Sequence, residues 1–194
     1  MEKDGFGCVV LAAGAGERFG GGKLLAEYRG KPLYLSALEA VPTGSVGAAA
    51  VVSGDETILA AAGKRGFLPV VNARPEEGIS RSIRLGLDAL GDCGGILFLV
   101  ADQPRLTRQT AERILETAGK HPECIIVPTD ERGTPGNPCF FPKEYFPELR
   151  ALEGDRGGRR VIASHPEAVV TVAVPAAELA DTDTPEQLRE LEKI

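Results

Sequence analysis

The chain has 194 residues, of which 43% are hydrophobic and 26% charged, and its formal net charge is −6. This length predicts one domain over residues 1–194, and the acidic balance argues against nucleic-acid binding, which needs a concentrated basic surface. No apolar run approaches the roughly 18 residues of a membrane span, and the N-terminus lacks a signal-peptide pattern, so we expect a cytoplasmic protein without a membrane partner.

Runs of valine, isoleucine and leucine alternate with segments of helical spacing along the chain. Such alternation is typical of parallel strands joined by crossover helices, and it predicts a single-domain, three-layer α/β/α sandwich with a mostly parallel, Rossmann-like sheet. The predicted strands are residues 7–12, 47–52, 67–71, 96–100, 124–127, 138–141 and 169–174. The predicted helices are residues 32–40, 55–64, 80–90, 107–120, 143–149, 156–163 and 185–192.

Two helix starts carry clear capping signals. Thr107 precedes an apolar-periodic run and can cap it, and Thr184 precedes Pro185, a residue favoured at the first helical position. The four cysteines are far apart, form no C-x-x-C pair and have no nearby histidine to complete a zinc site, so we interpret them as buried, reduced thiols. We assign no chemistry to His121 or His165.

A glycine-rich segment, LAAGAGERFGGGK at residues 11–23, follows the first predicted strand. Glycines let backbone N–H groups curl around an anion, and Arg18 and Lys23 add full positive charges. No G-K-[ST] closes the segment as in a Walker A loop, and the third glycine of a dinucleotide fingerprint is not at its proper spacing. The segment therefore predicts a phosphate-binding loop, with a flexible strand-to-helix turn as the alternative.

Acidic residues end two further segments. Asp102 follows the apolar strand 96–100, at the edge where open α/β sheets place their ligands. Magnesium commonly takes one or two protein carboxylates together with phosphate oxygens, so we predict Asp102 as a metal ligand. Asp183 is slightly preferred to Asp181 as the second ligand, and helix capping or a structural role is the alternative for each aspartate.

The glycine-rich loop matches L-A-A-G-x-x-x-R-[MF]-G-x-x-K and so resembles the signature of nucleotidyltransferases related to molybdopterin cytidylyltransferase, within the MobA-like NTP transferase superfamily. Four later segments resemble motifs of that family in the same order: residues 78–87, 133–138, 154–159 and 181–186. The resemblance extends from about residue 7 to residue 188, and it implies a GT-A-like nucleotidyltransferase fold with Mg²⁺ as cofactor.

The resemblance also implies roles for particular residues. Arg18, Lys23 and Asp102 would be catalytic, with Arg18 on the outer phosphates and Lys23 at the reacting phosphorus. Ser80 and Ser82 would face the nucleotide, although either hydroxyl could instead cap a helix. The remaining nucleotide contacts would come from the loop itself, at Leu11, Ala12, Ala13, Gly14, Ala15 and Gly16.

Three residues are implied as acceptor-binding: Asn137, Asp155 and Arg159. Asn137 stands where the family usually has histidine, and an amide can replace one imidazole hydrogen bond but cannot titrate near neutrality. For the other two, a helix cap at Asp155 and a solvated charge at Arg159 are the alternatives.

The implied reaction transfers CMP from CTP to the terminal phosphate of molybdopterin or the molybdenum cofactor and releases pyrophosphate. Ala13 favours CTP, because relatives that use CTP resemble L-A-A-G whereas guanylyltransferase relatives more often carry L-A-G-G. The alternatives are a GTP-using molybdopterin guanylyltransferase, a sugar- or polyol-phosphate nucleotidyltransferase, and a non-catalytic cofactor-binding chaperone. The expected partners are the nucleoside triphosphate, a phosphorylated pterin and a molybdoenzyme or chaperone.

Overall fold

A seven-stranded sheet forms the centre of the computed structural model, which describes residues 5–14 and 16–192. The strands lie in the order β5-β4-β1-β6-β8-β7-β9, and β8 alone among these seven runs antiparallel to its neighbours. The sheet comprises β1 Phe6–Leu11, β4 Ala48–Ser53, β5 Leu68–Val71, β6 Gly95–Val100, β7 Ile125–Thr129, β8 Cys139–Pro142 and β9 Val169–Ala173. A two-stranded ribbon of β2 Glu27–Tyr28 and β3 Lys31–Pro32 lies apart from it.

Helices cover both faces of the sheet. One apolar cluster joins alternate residues of β1, such as Cys8 and Val10, to α1, α2 and α4, and a second joins Val9 and Leu11 to α3, α5 and α6. The helices are α1 Leu33–Ala40, α2 Glu56–Lys64, α3 Ile79–Leu90, α4 Arg108–Lys120, α5 Phe146–Arg150, α6 Arg159–Ser164, α7 Ala176–Leu179 and α8 Pro185–Glu192. The predicted three-layer sandwich with a mostly parallel sheet is confirmed.

Local sequence signals explain several helix boundaries. Asp55 accepts hydrogen bonds from the N–H groups of Thr57 and Ile58, at 2.8 and 3.2 Å, and so caps α2. Thr107 Oγ1 accepts from the N–H of Thr110 at the start of α4, as the sequence predicted. No helix among the described residues is long and apolar enough to cross a bilayer.

Other boundaries differ from the sequence prediction. The helix predicted at residues 32–40 starts one residue later, because Pro32 pairs with Glu27 in the ribbon. The helix predicted at residues 156–163 begins only at Arg159, after a turn that ends in two glycines. The ribbon and α7 were not predicted, since elements of two to four residues are too short for a hydrophobic period to be recognised.

Candidate active site

A pocket of about 400 Å³ opens at the carboxyl ends of β1 and β6. This is the edge at which parallel α/β sheets bind ligands, because the loops that follow neighbouring strands meet there. Ten residues that the sequence predicted as site residues line the pocket: Leu11, Ala13, Gly14, Gly16, Arg18, Lys23, Ser82, Asp102, Asp155 and Asp183. The fold therefore brings together the glycine-rich loop, two of the predicted acidic segments, α3 and the loop before α6.

The glycine-rich loop turns sharply around Gly16. Its carbonyl accepts hydrogen bonds from the N–H groups of Phe19 and Gly21, at 2.9 and 3.2 Å, and its φ of +60° lies in the left-handed region that favours glycine. A Cβ at Gly16 would lie 2.9 Å from the Cβ of Lys23. Glycine at this position therefore lets the loop fold back onto Lys23.

Ala12 lies beneath the loop rather than on the pocket wall. Its N–H donates to the carbonyl of Val52 at 2.8 Å, and its carbonyl accepts from the buried hydroxyl of Ser53 at 2.9 Å. Both polar groups of the Ala12 backbone are thus engaged by β4, which braces the start of the loop. A nucleotide contact at Ala12 stays a prediction, and the contact predicted at Ala15 lies outside the described residues.

Lys23 joins the two predicted metal ligands. Its Nζ donates to Asp102 Oδ2 at 2.7 Å and to Asp183 Oδ1 at 3.2 Å, and its side chain is only 9% exposed. Arg18 Nη1 donates to the other carboxylate oxygen of Asp183 at 3.2 Å, from a side chain that is 80% exposed. The ammonium of Lys23 is therefore buried between two carboxylates, whereas the guanidinium of Arg18 pairs with Asp183 from a largely exposed side chain.

Backbone contacts hold Asp183 beside Asp102 although 80 residues separate them. The N–H of Thr182 donates to the backbone carbonyl of Asp102 at 3.0 Å. At the start of α8, Thr184 Oγ1 accepts from the N–H of Gln187, and Gln187 Oε1 accepts from the N–H groups of Asp183 and Thr184, at 2.7 and 3.1 Å. This reciprocal cap fixes the backbone of Asp183 as well as the helix start.

The acidic residues at the pocket fit a hard divalent cation. Two carboxylates within hydrogen-bonding distance of one nitrogen are the donor set that Mg²⁺ takes alongside phosphate oxygens. Burial, and then the negative charge of Asp102, raises the pKa of Asp181 to about 6. In the part of the chain that the structure describes, Asp181 does not complete a three-ligand cluster with Asp102 and Asp183.

The N-terminal part of α3 forms the wall opposite the glycine-rich loop. Ser82 lines the pocket, and its Oγ accepts a 3.0 Å hydrogen bond from Asn72 Nδ2, a side chain that is fully buried after β5. Asn72 Oδ1 in turn accepts from Arg81 Nε at 3.0 Å. Ser80 is fully buried, and its hydroxyl has no protein partner among the described residues.

The predicted acceptor residues divide between the pocket and its surroundings. Asp155 lines the pocket, because the N–H of Ser80 donates to the carbonyl of Gly154 at 3.1 Å and ties this loop to α3. Asn137 and Arg159 do not line it. Both lie near Cys139, at the start of β8; this strand is antiparallel, so its start lies at the same sheet edge as the pocket. A role for these residues in acceptor binding stays a prediction.

Sequence reasoning missed several residues of the site. Asn72 and Ser53 are buried polar residues directly after or within β-strands, and they support Ser82 and Ala12. Pro75 and Glu76 line the pocket from the loop before α3. Asn72 could have been found from the sequence, because it is a polar residue at the carboxyl end of a predicted strand. Asp102 was predicted from the same kind of position.

Comparisons with known proteins find relatives over almost the whole chain. A family model described as the MobA-like NTP transferase domain matches residues 8–169. The purine catabolism protein PucB of Bacillus subtilis is 29% identical over 192 residues, covering 92% of each chain. The nicotine blue oxidoreductase of Paenarthrobacter nicotinovorans is also 29% identical over 192 residues, covering 94% of each chain.

A solved structure covers almost the whole chain. Rv0371c from Mycobacterium tuberculosis is 26% identical, superposes with a TM-score of 0.82, and covers 99% of this chain and 100% of its own. Its complex with manganese is 27% identical with a TM-score of 0.78 and covers 97% and 98% of the two chains. The sandwich and the arrangement of its strands are therefore shared with a metal-binding relative.

Proposed function

Because the chain belongs to the family of MobA-like NTP transferase domains, we propose that it transfers CMP from CTP to the terminal phosphate of a molybdopterin-type cofactor. The products are pyrophosphate and a dinucleotide form of the cofactor. Mg²⁺ is the proposed metal, held by Asp102 and Asp183.

This function is supported by the hydrogen bonds that Lys23, the last residue of the glycine-rich loop, donates to Asp102 and Asp183. A protein that only stored a cofactor would gain little from burying an ammonium between two carboxylates, since taking charges out of water is costly. A triphosphate, by contrast, brings negative charge that needs both a cation and an ammonium. The three side chains therefore favour phosphoryl chemistry over simple binding.

The proposed reaction is an in-line displacement at the α-phosphorus of CTP. An oxygen of the acceptor phosphate forms the new P–O bond, the bond between the α-phosphorus and the bridging oxygen breaks, and pyrophosphate leaves with the electron pair. The acceptor phosphate is already an anion, so no strong base is required. Catalysis then depends on positioning and on neutralising charge, as in other phosphoryl transfers.

Each residue has a defined task in this scheme. The ammonium of Lys23 stabilises charge at the α-phosphate, and the exposed guanidinium of Arg18 binds the outer phosphates that leave. When bound, Mg²⁺ supplies further positive charge to the triphosphate oxygens. Ala13, within the glycine-rich loop, lines the pocket, where its methyl group limits how closely a base can approach, and this supports cytosine as the base.

Replacing Lys23 with alanine tests the catalytic assignment. Removing one electrostatic donor of this kind costs on the order of 10²–10³ in rate, by analogy with oxyanion donors. Lys31→Ala is the matched control, because Lys31 pairs with Glu39 away from the pocket. Turnover that is unchanged in Lys23→Ala, in protein with an unchanged circular dichroism spectrum, would sink the assigned role.

A pyrophosphate-release assay tests the substrates. The purified protein is incubated with Mg²⁺, with each of the four nucleoside triphosphates, and with molybdopterin, a sugar phosphate or a polyol phosphate. We expect release with CTP and molybdopterin. A clear preference for GTP would overturn the choice of base, release with a sugar or polyol phosphate would overturn the choice of acceptor, and tight cofactor binding without release would indicate a chaperone.

A further inference from the structure

A second group of metal-binding side chains lies at the edge of the sheet opposite the nucleotide pocket. His121, Glu123 and Cys124 follow α4 and directly precede β7. Strands β6 and β7 run in the same direction, since both are antiparallel to β8. The first residue of β7 therefore lies at the amino ends of the parallel strands, whereas the nucleotide pocket lies at their carboxyl ends. This group is therefore separate from Asp102 and Asp183.

The backbone presents these three residues as one rigid turn. His121 is the C-cap residue that follows α4, and its N–H donates to the carbonyls of Thr117 and Ala118 at 3.0 and 3.2 Å. The N–H of Cys124 then donates to the carbonyl of His121 at 3.0 Å, and Pro122 occupies the second position, which its fixed φ favours. The imidazole and the thiol thus stand at the two ends of a closed β-turn.

The ligand atoms already lie close together. One nitrogen of His121, one carboxylate oxygen of Glu123 and the sulfur of Cys124 are all within 4.8 Å of one another. In a tetrahedral zinc site, bond lengths of about 2.0–2.3 Å place ligand atoms about 3.3–3.8 Å apart. To bind zinc, the ligand atoms must therefore approach one another by up to roughly one ångström. The exposed side chains of His121 and Glu123 can do this by small rotations without moving the backbone.

We propose that His121, Glu123 and Cys124 form a zinc-binding site that is independent of the nucleotide pocket. The ligand types favour this ion, because a thiolate and an imidazole suit Zn²⁺ whereas Mg²⁺ takes oxygen ligands almost exclusively. Three protein ligands leave the fourth tetrahedral position to water.

The surroundings of the turn add negative charge. Burial raises the pKa of the Cys124 thiol, and the negative charges of Glu123 and Glu144 raise it further, so Glu144, at the start of the segment after β8, lies near the same point. No cation of the chain forms an ion pair with Glu123 or Glu144 among the described residues. A divalent ion at the turn would balance these charges.

Binding at this turn would join two elements of the fold. His121 is the C-cap residue of α4. Cys124 packs partly against the apolar cluster that includes α4, and it directly precedes β7. An ion held by both residues binds the folded chain better than the unfolded one, so zinc should stabilise the protein by mass action. In this interpretation the ion stabilises the fold, and the transfer reaction does not depend on it.

Cobalt substitution provides the test, since Co²⁺ bound to a thiolate absorbs in the near ultraviolet and Co²⁺ bound only to carboxylates does not. The full chain is freed of metal with a chelator and titrated with Co²⁺, and Zn²⁺ is then added to displace it. We expect a thiolate-to-cobalt band at one equivalent in the wild-type protein, its loss in Cys124→Ser, and its retention in Cys93→Ser, the other partly exposed thiol.

A competition titration with Zn²⁺ completes the test. His121→Gln keeps the thiol and should weaken Zn²⁺ binding by more than about tenfold, because loss of even an outer-shell partner typically costs 10–100-fold. Both variants should keep wild-type circular dichroism spectra in chelator. A wild-type protein without the cobalt band, or a band that survives Cys124→Ser, overturns the proposal, as does unchanged Zn²⁺ affinity in His121→Gln.

Discussion

Gly78 and Gly154 lie so close that a Cβ built on Gly78 would be 2.3 Å from the carbonyl carbon of Gly154. Gly78 also has a φ of +85°, which side chains rarely adopt. These two glycines allow the loop that carries Asp155 to pack against the start of α3, where Ser80 and Ser82 lie. The wall of the pocket opposite the glycine-rich loop depends on this contact.

Gly78→Ala should therefore be strongly destabilising. Strain at positive φ costs about 1–2 kcal/mol and overpacking about 1–3 kcal/mol, so we expect the free energy of unfolding to fall by about 2–5 kcal/mol in urea denaturation. Gly66→Ala is the matched control, because Gly66 has a φ of +77° and nothing within 4 Å of its Cβ position. Equal losses in the two variants would contradict the close packing of Gly78.

Thr184→Ala should reduce both stability and activity. Loss of an N-cap costs about 0.5–2 kcal/mol, and Thr184 Oγ1 accepts from the N–H of Gln187, whose side chain in turn accepts from the N–H of Asp183. Thr107→Ala removes the cap of α4, away from the pocket, and should lower stability by a similar amount without affecting kcat. If turnover per folded molecule responds equally to both changes, the positioning role of the α8 cap is wrong.

Lys23→Met should tighten binding of a divalent ion in the absence of nucleotide. The ammonium of Lys23 occupies one oxygen each of Asp102 and Asp183, and it repels a cation at the same place. Removing this repulsion should increase the affinity for Mn²⁺ about tenfold, equivalent to about 1.4 kcal/mol, as measured by electron paramagnetic resonance of free Mn²⁺. Weaker Mn²⁺ binding in Lys23→Met than in Lys31→Met would argue against a shared position.

Replacing Asp181 and Asp183 with asparagine should have different effects on kcat/KM. Asp183 contacts Lys23, whereas Asp181 does not join the group, so Asp183→Asn should lower kcat/KM on the order of 10²–10³. Asp181→Asn should change it by less than about tenfold, or about 1.4 kcal/mol. Mn²⁺ affinity provides an independent measurement, and a larger loss in Asp181→Asn would reverse the assignment of the second ligand.

His165 should contribute stability that depends on pH. Glu148 accepts a hydrogen bond from His165 Nε2 at 2.8 Å, and this bond, assisted by the charges of Glu148 and Glu167, raises the pKa of His165 above its usual 6.5. A raised pKa in the folded state stabilises the fold fully below the unfolded value of about 6.5, and the contribution is lost as pH rises through the folded value.

Nuclear magnetic resonance titration can follow this ionisation directly. The chain contains only two histidines, so His121→Gln assigns the signals. Glu148→Gln should lower the pKa of His165, and the difference in urea midpoint between wild type and Glu148→Gln should shrink as pH rises above the histidine range. A difference that grows with pH would contradict the assigned ion pair.

Much of the site was predictable because its residues lie in short local patterns. The loop at residues 11–23, Asp102 after an apolar strand, and the Thr184 cap are each recognisable within a few positions. Asn72, Ser53 and Asp181 were harder, since their roles depend on partners distant in sequence. The turn at His121 was missed because the sequence analysis found no histidine near a cysteine, which was wrong, since His121 lies three positions before Cys124.

The sequence by itself determined which segments become strands, where the capped helices α4 and α8 start, and that a glycine-rich loop follows β1. These features follow from side-chain periodicity and from hydrogen bonds between residues within four positions of each other. Only the tertiary structure decided that β8 inserts antiparallel between β6 and β7, and that Lys23, Asp102 and Asp183 meet at one nitrogen. The contacts of Lys23 join residues 79 and 160 positions apart, and the packing of the whole sheet brings these residues together.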